Sequence, residues 1–457
     1  MNLESNIDEK NDNLNDKRID NYDILVENLA LKLANQLNSS ETEQNLSKSY
    51  YLMKELVKNI EANHYPSLEI IIDNKFLQNL YIKFLIEIEP NFRELISRLI
   101  WLILSKYQDT ISILFNLDFF VYFNNIIEDL EENSTTILYL LSFIYISLFN
   151  YSQNLQLLDE SNFSEFLSHL TEVLIPIVTD ECNNSDFIEI LKTIIKILII
   201  YLENDHCIEY AHNICLQIIF CENEIVNVQN SELILKLFDK TKFSEEIIEM
   251  NLFERLADLA FDSDEKCPID VLSKFISSFY ENSDLKNLIY DVSTNILWSE
   301  LPEAVKRTLS ERKIESAESY LVLLDNKLVL EEKYPNDLKI FDFTNLWKII
   351  YPNEPFIIQE RYITVLLRIW RYSSADFFIE AFNQKFIEEV LNVLENCNDL
   401  LPLSIEVFDY LILSFVNHGF DTSHIEPIVE FLRNLQEDSP EYYEEIDEIL
   451  NKYFHYE

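Results

Sequence analysis

Residues 116–130 read NLDFFVYFNNIIEDL, which places Phe119, Phe120, Tyr122 and Phe123 within five positions of a chain carrying 81 acidic and 35 basic residues. Such a run can be a membrane insert, a buried strand or one face of a helix, and spacing decides among them. Asp118 precedes Phe119, and its short side chain can accept from the unpaired N–H groups of a first helical turn. Phe119, Phe123, Ile126 and Ile127 then share one stripe at intervals of three and four, which is helical and not strand spacing. Phe120 and Tyr122 lie off that stripe, which predicts that they wedge against the next repeat.

The same pattern returns along the chain. An apolar residue that follows an Asn or Asp and opens a helical pattern occurs at Phe76, Phe119, Phe163, Ile208, Phe253, Leu297, Phe343 and Phe386, at intervals of 43, 44, 45, 45, 44, 46 and 43 residues. A weaker copy, HIEPIVEFL, spans 424–432. Four residues beyond the anchors stand Leu80, Phe123, Leu167, His212, Ala257, Leu301, Trp347 and Val390, of which only His212 is polar. Upstream of most anchors lies a second segment that is apolar around most of a helical circumference, for example FIEILKTIIKILIIYL (187–202) and EVFDYLILSFV (406–416). A helix of that kind has to be covered by neighbours on both sides. The unit is thus a buried helix, a connector and a more amphipathic helix, and stacked units bury one continuous core.

From roughly Tyr50 to Leu435 this pattern resembles the armadillo/HEAT class of helical repeats, whose units run about 40–47 residues. The resemblance implies an all-α, right-handed α-solenoid of about eight to nine repeats with a period near 44 residues. Armadillo repeats carry a glycine between their first two helices, whereas the equivalent turns here hold Asn, Asp or Lys. The stretch 300–358, with Pro302, Pro335, Pro352 and Pro355, departs most and predicts an insertion or a bend. The implied organisation is a polar, disordered tail over 1–20, the array over 21–435 and an acidic helix or tail over 436–457.

Composition agrees. Glycine occurs once, at Gly419, and proline eleven times, so glycine-dependent hairpins and βα turns are nearly absent. A formal net charge of −46 argues against a nucleic-acid or anionic-membrane surface, which needs clustered Lys and Arg, and points to a basic protein partner or to solubility alone. Six cysteines and a polar start predict reduced thiols in cytoplasm or nucleus. The uncharged run 133–158 has only thirteen densely apolar residues, at 137–149. Spanning a membrane needs about twenty, so this segment predicts a buried helix.

Catalytic and cofactor motifs are missing. One glycine builds no phosphate-cradling loop. His206, Cys207, His212, Cys215 and Cys221 lie close in sequence, yet without a CxxC pair core packing is a better reading than zinc. In NHGFDTSH (417–424), Gly419 predicts a helix C-terminus rather than a site for His418, Asp421 and His424. Lys306, Arg307, Arg312 and Lys313 form one basic island, and Arg361, Arg368 and Arg371 a second. Either could dock an anionic partner, but pairing with the abundant acids is the simpler expectation.

The candidate partner-binding residues are Asn124, Asn125, Glu128, Asp129, Glu165, His169, Glu172, Glu209, Asp258, Glu388 and Glu389, a ladder along the anchor helices able to attract a basic segment. The expected function is a non-catalytic scaffold or adaptor that binds a protein partner along an acidic concave groove, with no cofactor, metal, nucleic acid, membrane or small-molecule substrate. Importin-alpha-like cargo capture would be the sharper form. That family pairs inner-helix Trp with Asn one turn on, and none of Trp101, Trp298, Trp347 or Trp370 has Asn at that spacing. The alternative is a regulatory or assembly subunit that docks through its outer ridges and basic islands.

Overall fold

A computed structural model of the chain describes residues 25–26, 28–37, 43–62, 76, 79–80, 82–84, 89–104, 127, 130–150, 163–179, 185–204, 208–219, 223–238, 240, 243–280, 283–294, 296, 300–331 and 343–453. Among these residues regular structure is helical throughout, α-helix with short 3₁₀ turns, and no strand occurs. The chain divides into two compact units, Met1–Leu237 and Phe238–Glu457, and the expected array over 21–435 runs through both.

The first unit contains α1 (Glu43–Ala62), α2 (Pro90–Leu104), α3 (Leu130–Asn150), α4 (Phe163–Thr179), α5 (Ser185–Glu203), α6 (Ile208–Ile219) and α7 (Glu224–Phe238). Helices α1, α2, α3 and α5 pack in that succession, and α4 and α6 pack on α5 and on each other. Helix α5 buries Phe187, Ile190, Ile194 and Tyr201 along one face and Ile195, Ile199 and Ile200 away from it, as its all-round apolar sequence requires. Polar ties cross each step of the succession. The Arg98 guanidinium donates to Glu61 at 2.8 Å, that of Arg93 to Asn133 at 2.9 Å, and the Thr135 hydroxyl to Asp186 at 3.0 Å. The apolar run 137–149 lies inside α3, with Ile137, Leu141 and Ile144 buried. Among the described residues no helix is long and apolar enough to cross a membrane.

The second unit contains α8 (Phe243–Glu249), α9 (Phe253–Ser263), α10 (Lys266–Ser277), α11 (Lys286–Ser293), α12 (Glu300–Ser310), α13 (Ile314–Glu331), α14 (Phe343–Ile350), α15 (Phe356–Tyr372), α16 (Ala375–Ala381), α17 (Gln384–Leu394), α18 (Leu401–His418), α19 (Glu426–Asp438) and α20 (Tyr443–Tyr453). Helices α10, α13, α15, α18 and α20 pack in succession as one row. A second row is made by α9, α12, α14, α17 and α19. Within it α12 packs on α14 and α17 on α19, an Arg307–Asp264 pair joins α12 to the end of α9, and a Trp347–Glu389 hydrogen bond joins α14 to α17. The rows face each other through α9 on α10, α12 on α13, α14 on α15 and α19 on α20. The acidic C-terminal segment belongs to this packing, since α20 buries Ile446, Ile449 and Leu450.

Helix boundaries follow the anchors. Phe163, Ile208, Phe253 and Phe343 are the first residues of α4, α6, α9 and α14, and Phe386 stands in the first turn of α17. Asn383 caps α17 as its position predicts, its side chain accepting from the Phe386 N–H at 3.0 Å. At Phe253 the expected cap is overturned. Asn251 has φ 54 and serves the helix before it: Leu252 N–H returns to the Ile247 carbonyl at 2.9 Å, closing α8 around a left-handed residue. Asn has both uses because its short amide tolerates the left-handed region as well as capping. Pro90, Pro268, Pro302, Pro402 and Pro427 occupy first turns, where the missing N–H has no intrahelical partner to lose. In the stretch 300–358, Pro302 therefore sits in the first turn of α12 and Pro355 is the N-cap of α15, while Pro335 lies outside the described residues.

Candidate functional site

In the first unit, α4 turns Phe163, Phe166, Leu167, Leu170 and Leu174 inward and leaves Glu165 and Glu172 exposed, with His169 half-buried between them. These three residues are spaced by four and three, so they form one stripe. On α6, Ala211, Ile214, Cys215 and Ile218 are buried and Glu209 is exposed. Because α4 and α6 are neighbours, the unit carries two adjacent anchor helices that both present acid to solvent. Asn124, Asn125, Glu128 and Asp129 lie outside the described residues.

In the second unit, α9 buries Phe253, Leu256 and Ala260 and exposes Glu254, Asp258 and Asp262. Helix α17 exposes Glu388, whereas Glu389 is half-buried and faces inward in part. Its Oε2 accepts from the Trp347 indole N–H at 3.2 Å, and its Oε1 lies 3.7 Å from Lys385 Nζ. Asp258 and Glu388 are not brought together, since α12 and α14 stand between their helices in the row.

The basic islands are paired internally. Arg307 grips Asp264 with two N–H groups, at 2.5 and 2.7 Å, and gives a third bond to the Phe261 carbonyl at 3.0 Å. Those bonds hold its guanidinium above its ordinary range. Asp264, itself left-handed with φ 51, also accepts from the buried Tyr320 hydroxyl at 2.9 Å, and burial pushes that phenol well up. Arg361 meets Glu318 at 3.2 Å, Arg368 meets Asp325 at 3.3 Å and Arg371 meets Glu406 at 2.7 Å. Burial nevertheless raises the Asp325 carboxyl, with Arg368 pulling the other way.

Three of these ties span the same distance along the chain. Asp264–Arg307, Glu318–Arg361 and Asp325–Arg368 each join residues 43 positions apart. Opposite charges one anchor interval apart were the signal in the sequence for these contacts.

The remaining polar clusters are described in part, and His206, Cys207 and Cys221 lie outside the described residues. Cys215 is buried, its carbonyl accepting from the Asn230 amide at 3.2 Å, and His212 is half-buried on the same helix. Among the described residues no group of three or more His, Cys, Asp or Glu is placed to hold a metal. Gly419, with φ 68, closes α18, the Phe420 N–H returning to the Phe415 carbonyl at 3.1 Å, and His418 Nδ1 lies 2.7 Å from the Ser414 carbonyl.

A cleft lies beside α12 in the second unit. It has a volume of about 630 Å³ and is lined by Lys306, Arg307, Leu309 and Arg312 from α12 and the turn after it, with Ile349 and Glu354 from the end of α14 and the turn that follows. Glu354 is the member that sequence reading missed, because no motif surrounds it.

Fold and surface together define an all-α protein of packed helices with a mainly acidic exterior. No family model matches the sequence, and no curated protein matches it. The crystal structure of an engineered protein from the Northeast Structural Genomics Consortium is similar to it with a TM-score of 0.53, covering 92% of this chain and 98% of that one at 13% identity. At that identity the likeness is one of fold alone.

Proposed function

We propose that the chain is an armadillo/HEAT-like, right-handed α-solenoid of about eight to nine repeats. In this reading it works without catalysis, as a cytoplasmic or nuclear scaffold that holds a partner protein by a basic segment along the acidic face of its anchor helices. The observation behind it is the return of solvent-facing carboxylates on five of the six described anchor helices α4, α6, α9, α12, α14 and α17, with α14 the exception: Glu165 and Glu172, Glu209, Glu254 and Asp258, Glu300 and Glu303, then Glu388. Solubility accounts for many acids anywhere on a surface but not for their return with the anchors. A row of like charges focuses potential and speeds the capture of an oppositely charged chain. The anchor intervals, the helix starts and the two-row packing of the second unit support the repeat reading.

A labelled lysine- and arginine-rich peptide tests it by fluorescence anisotropy. Binding is expected to weaken steeply between low and physiological salt, and to fall in the Glu165→Lys/Glu172→Lys double variant. Affinity indifferent to both changes would end the proposal. Docking through the basic islands, the competing reading, draws less support because Arg307, Arg361, Arg368 and Arg371 already meet carboxylates.

A further inference from the structure

Another cleft, of about 400 Å³, lies between the C-terminal ends of α17 and α19, neighbours in the second row, much as the cleft beside α12 lies against the ends of α12 and α14. The two differ in charge. The last turns of α12 and α14 carry Arg307 and Lys348, and Lys306, Arg307 and Arg312 of that cleft meet Glu303, Asp264 and Glu354. No base stands in the last turn of α17 or α19. Their cleft is lined by Glu395 and Asp438, by asparagine side chains and by Leu401, Phe431 and Leu435, and Arg433 of α19 is not part of the lining. Both carboxylates are exposed, and among the described residues neither makes an ion pair or a side-chain hydrogen bond.

These two acids also end two stripes. Glu388, Asn392 and Glu395 follow one another at i, i+4 and i+7 on the solvent side of α17, and Glu430, Asn434 and Asp438 at i, i+4 and i+8 on that of α19. The acidic faces of both helices thus run into one cleft, where the helix C-termini add their own partial negative charge. A cation is favoured there, and no lining side chain supplies one. A bare ion would leave the apolar floor uncovered. Lysine covers it but brings only a point charge, whereas arginine brings a stem for the floor and a planar fork for carboxylates on two helices. On the reading that the acidic anchor faces hold a basic segment, we propose that this cleft is its arginine subsite. The guanidinium of one arginine of the partner is shared by Glu395 and Asp438, and its stem lies on Phe431 and Leu435.

The test uses the full chain and two labelled peptides of equal length and charge, one built on arginine and one on lysine. Salt is near physiological, where the Debye length of about 8 Å screens distant acids. The arginine peptide is expected to bind severalfold more tightly than the lysine peptide. Glu395→Gln/Asp438→Asn is expected to weaken it by about tenfold and to abolish that preference. Asp376→Asn/Glu380→Gln removes the same charge from α16 and is expected to change binding by less than about twofold. Asn434→Arg, which sets a guanidinium at the cleft from within as Arg307 stands in the other, is expected to reproduce the loss. The replaced side chains are all exposed, so loss of binding is not loss of fold. Equal affinity for the two peptides, unchanged affinity in Glu395→Gln/Asp438→Asn, or an equal loss in the α16 variant overturns the subsite. If Glu165→Lys/Glu172→Lys still weakens binding in that event, the acidic-face reading stands without it, while a wild type that binds neither peptide overturns both.

Discussion

At Arg312 the chain turns left-handed, φ 63, to close α12, and Lys313 N–H reaches back to the Thr308 carbonyl at 2.9 Å. Gly419 performs the same turn at the end of α18 without a Cβ, and Asn251 and Asp264 do so with short polar side chains. Arginine is the least suited of the four. Arg312→Gly is therefore expected to raise stability by about 1 kcal/mol in urea denaturation, while a loss would mean that the side chain's contact with Glu354 outweighs the strain. Asp325 makes a second prediction through the sign of its shift. Because burial raises its carboxyl above 3.8, the folded state holds that proton more tightly than the unfolded one. Its contribution to stability is therefore greatest at low pH and falls as pH rises through the window above 3.8, the reverse of an ordinary salt-bridged carboxylate. Urea melts from about pH 4 to about pH 7 should show wild type losing stability relative to Asp325→Asn. A difference that grows the other way would show Arg368 dominating.

Among the elements, α5 and α3 give opposite expectations for apolar side chains. Ile194 of α5 is fully buried, and Ile194→Ala should cost about 2–5 kcal/mol through lost contacts and a cavity. Phe149, near the end of α3, is 71% exposed, so Phe149→Ser should stay within about 0.5 kcal/mol. Chemical denaturation of the two variants separates them, and equal costs would contradict the packing. Much of this level was legible in advance, because an apolar anchor and its partner one turn on both belong to one short window, and Phe163, Ile208, Phe253 and Phe343 open helices as read. What stayed hidden was how each residue between helices is used. Asn251 ends a helix where the pattern assigns it to the next, because capping and left-handed turns favour the same side chain.

For the molecule as a whole, charge was legible and its employment was not. Every acid and base can be counted in the chain, yet Glu389 gives an oxygen to Trp347 and Arg307 is taken by Asp264, partners 42 and 43 residues away that no local window contains. The net charge of −46 still bears on binding at this scale. Association with a basic peptide should be fast at low salt, and raising salt should act mainly on the association rate, which stopped-flow fluorescence can follow. An effect confined to dissociation would instead point to short-range contacts. The shared 43-residue span of Asp264–Arg307, Glu318–Arg361 and Asp325–Arg368 has a consequence for change in chain length. An insertion or deletion of arbitrary size between such partners would carry guanidinium groups away from their carboxylates. On the repeat reading proposed above, tandem duplication of one such span is the length change expected to keep the ties, because the copied carboxylate again precedes its Arg by 43 residues.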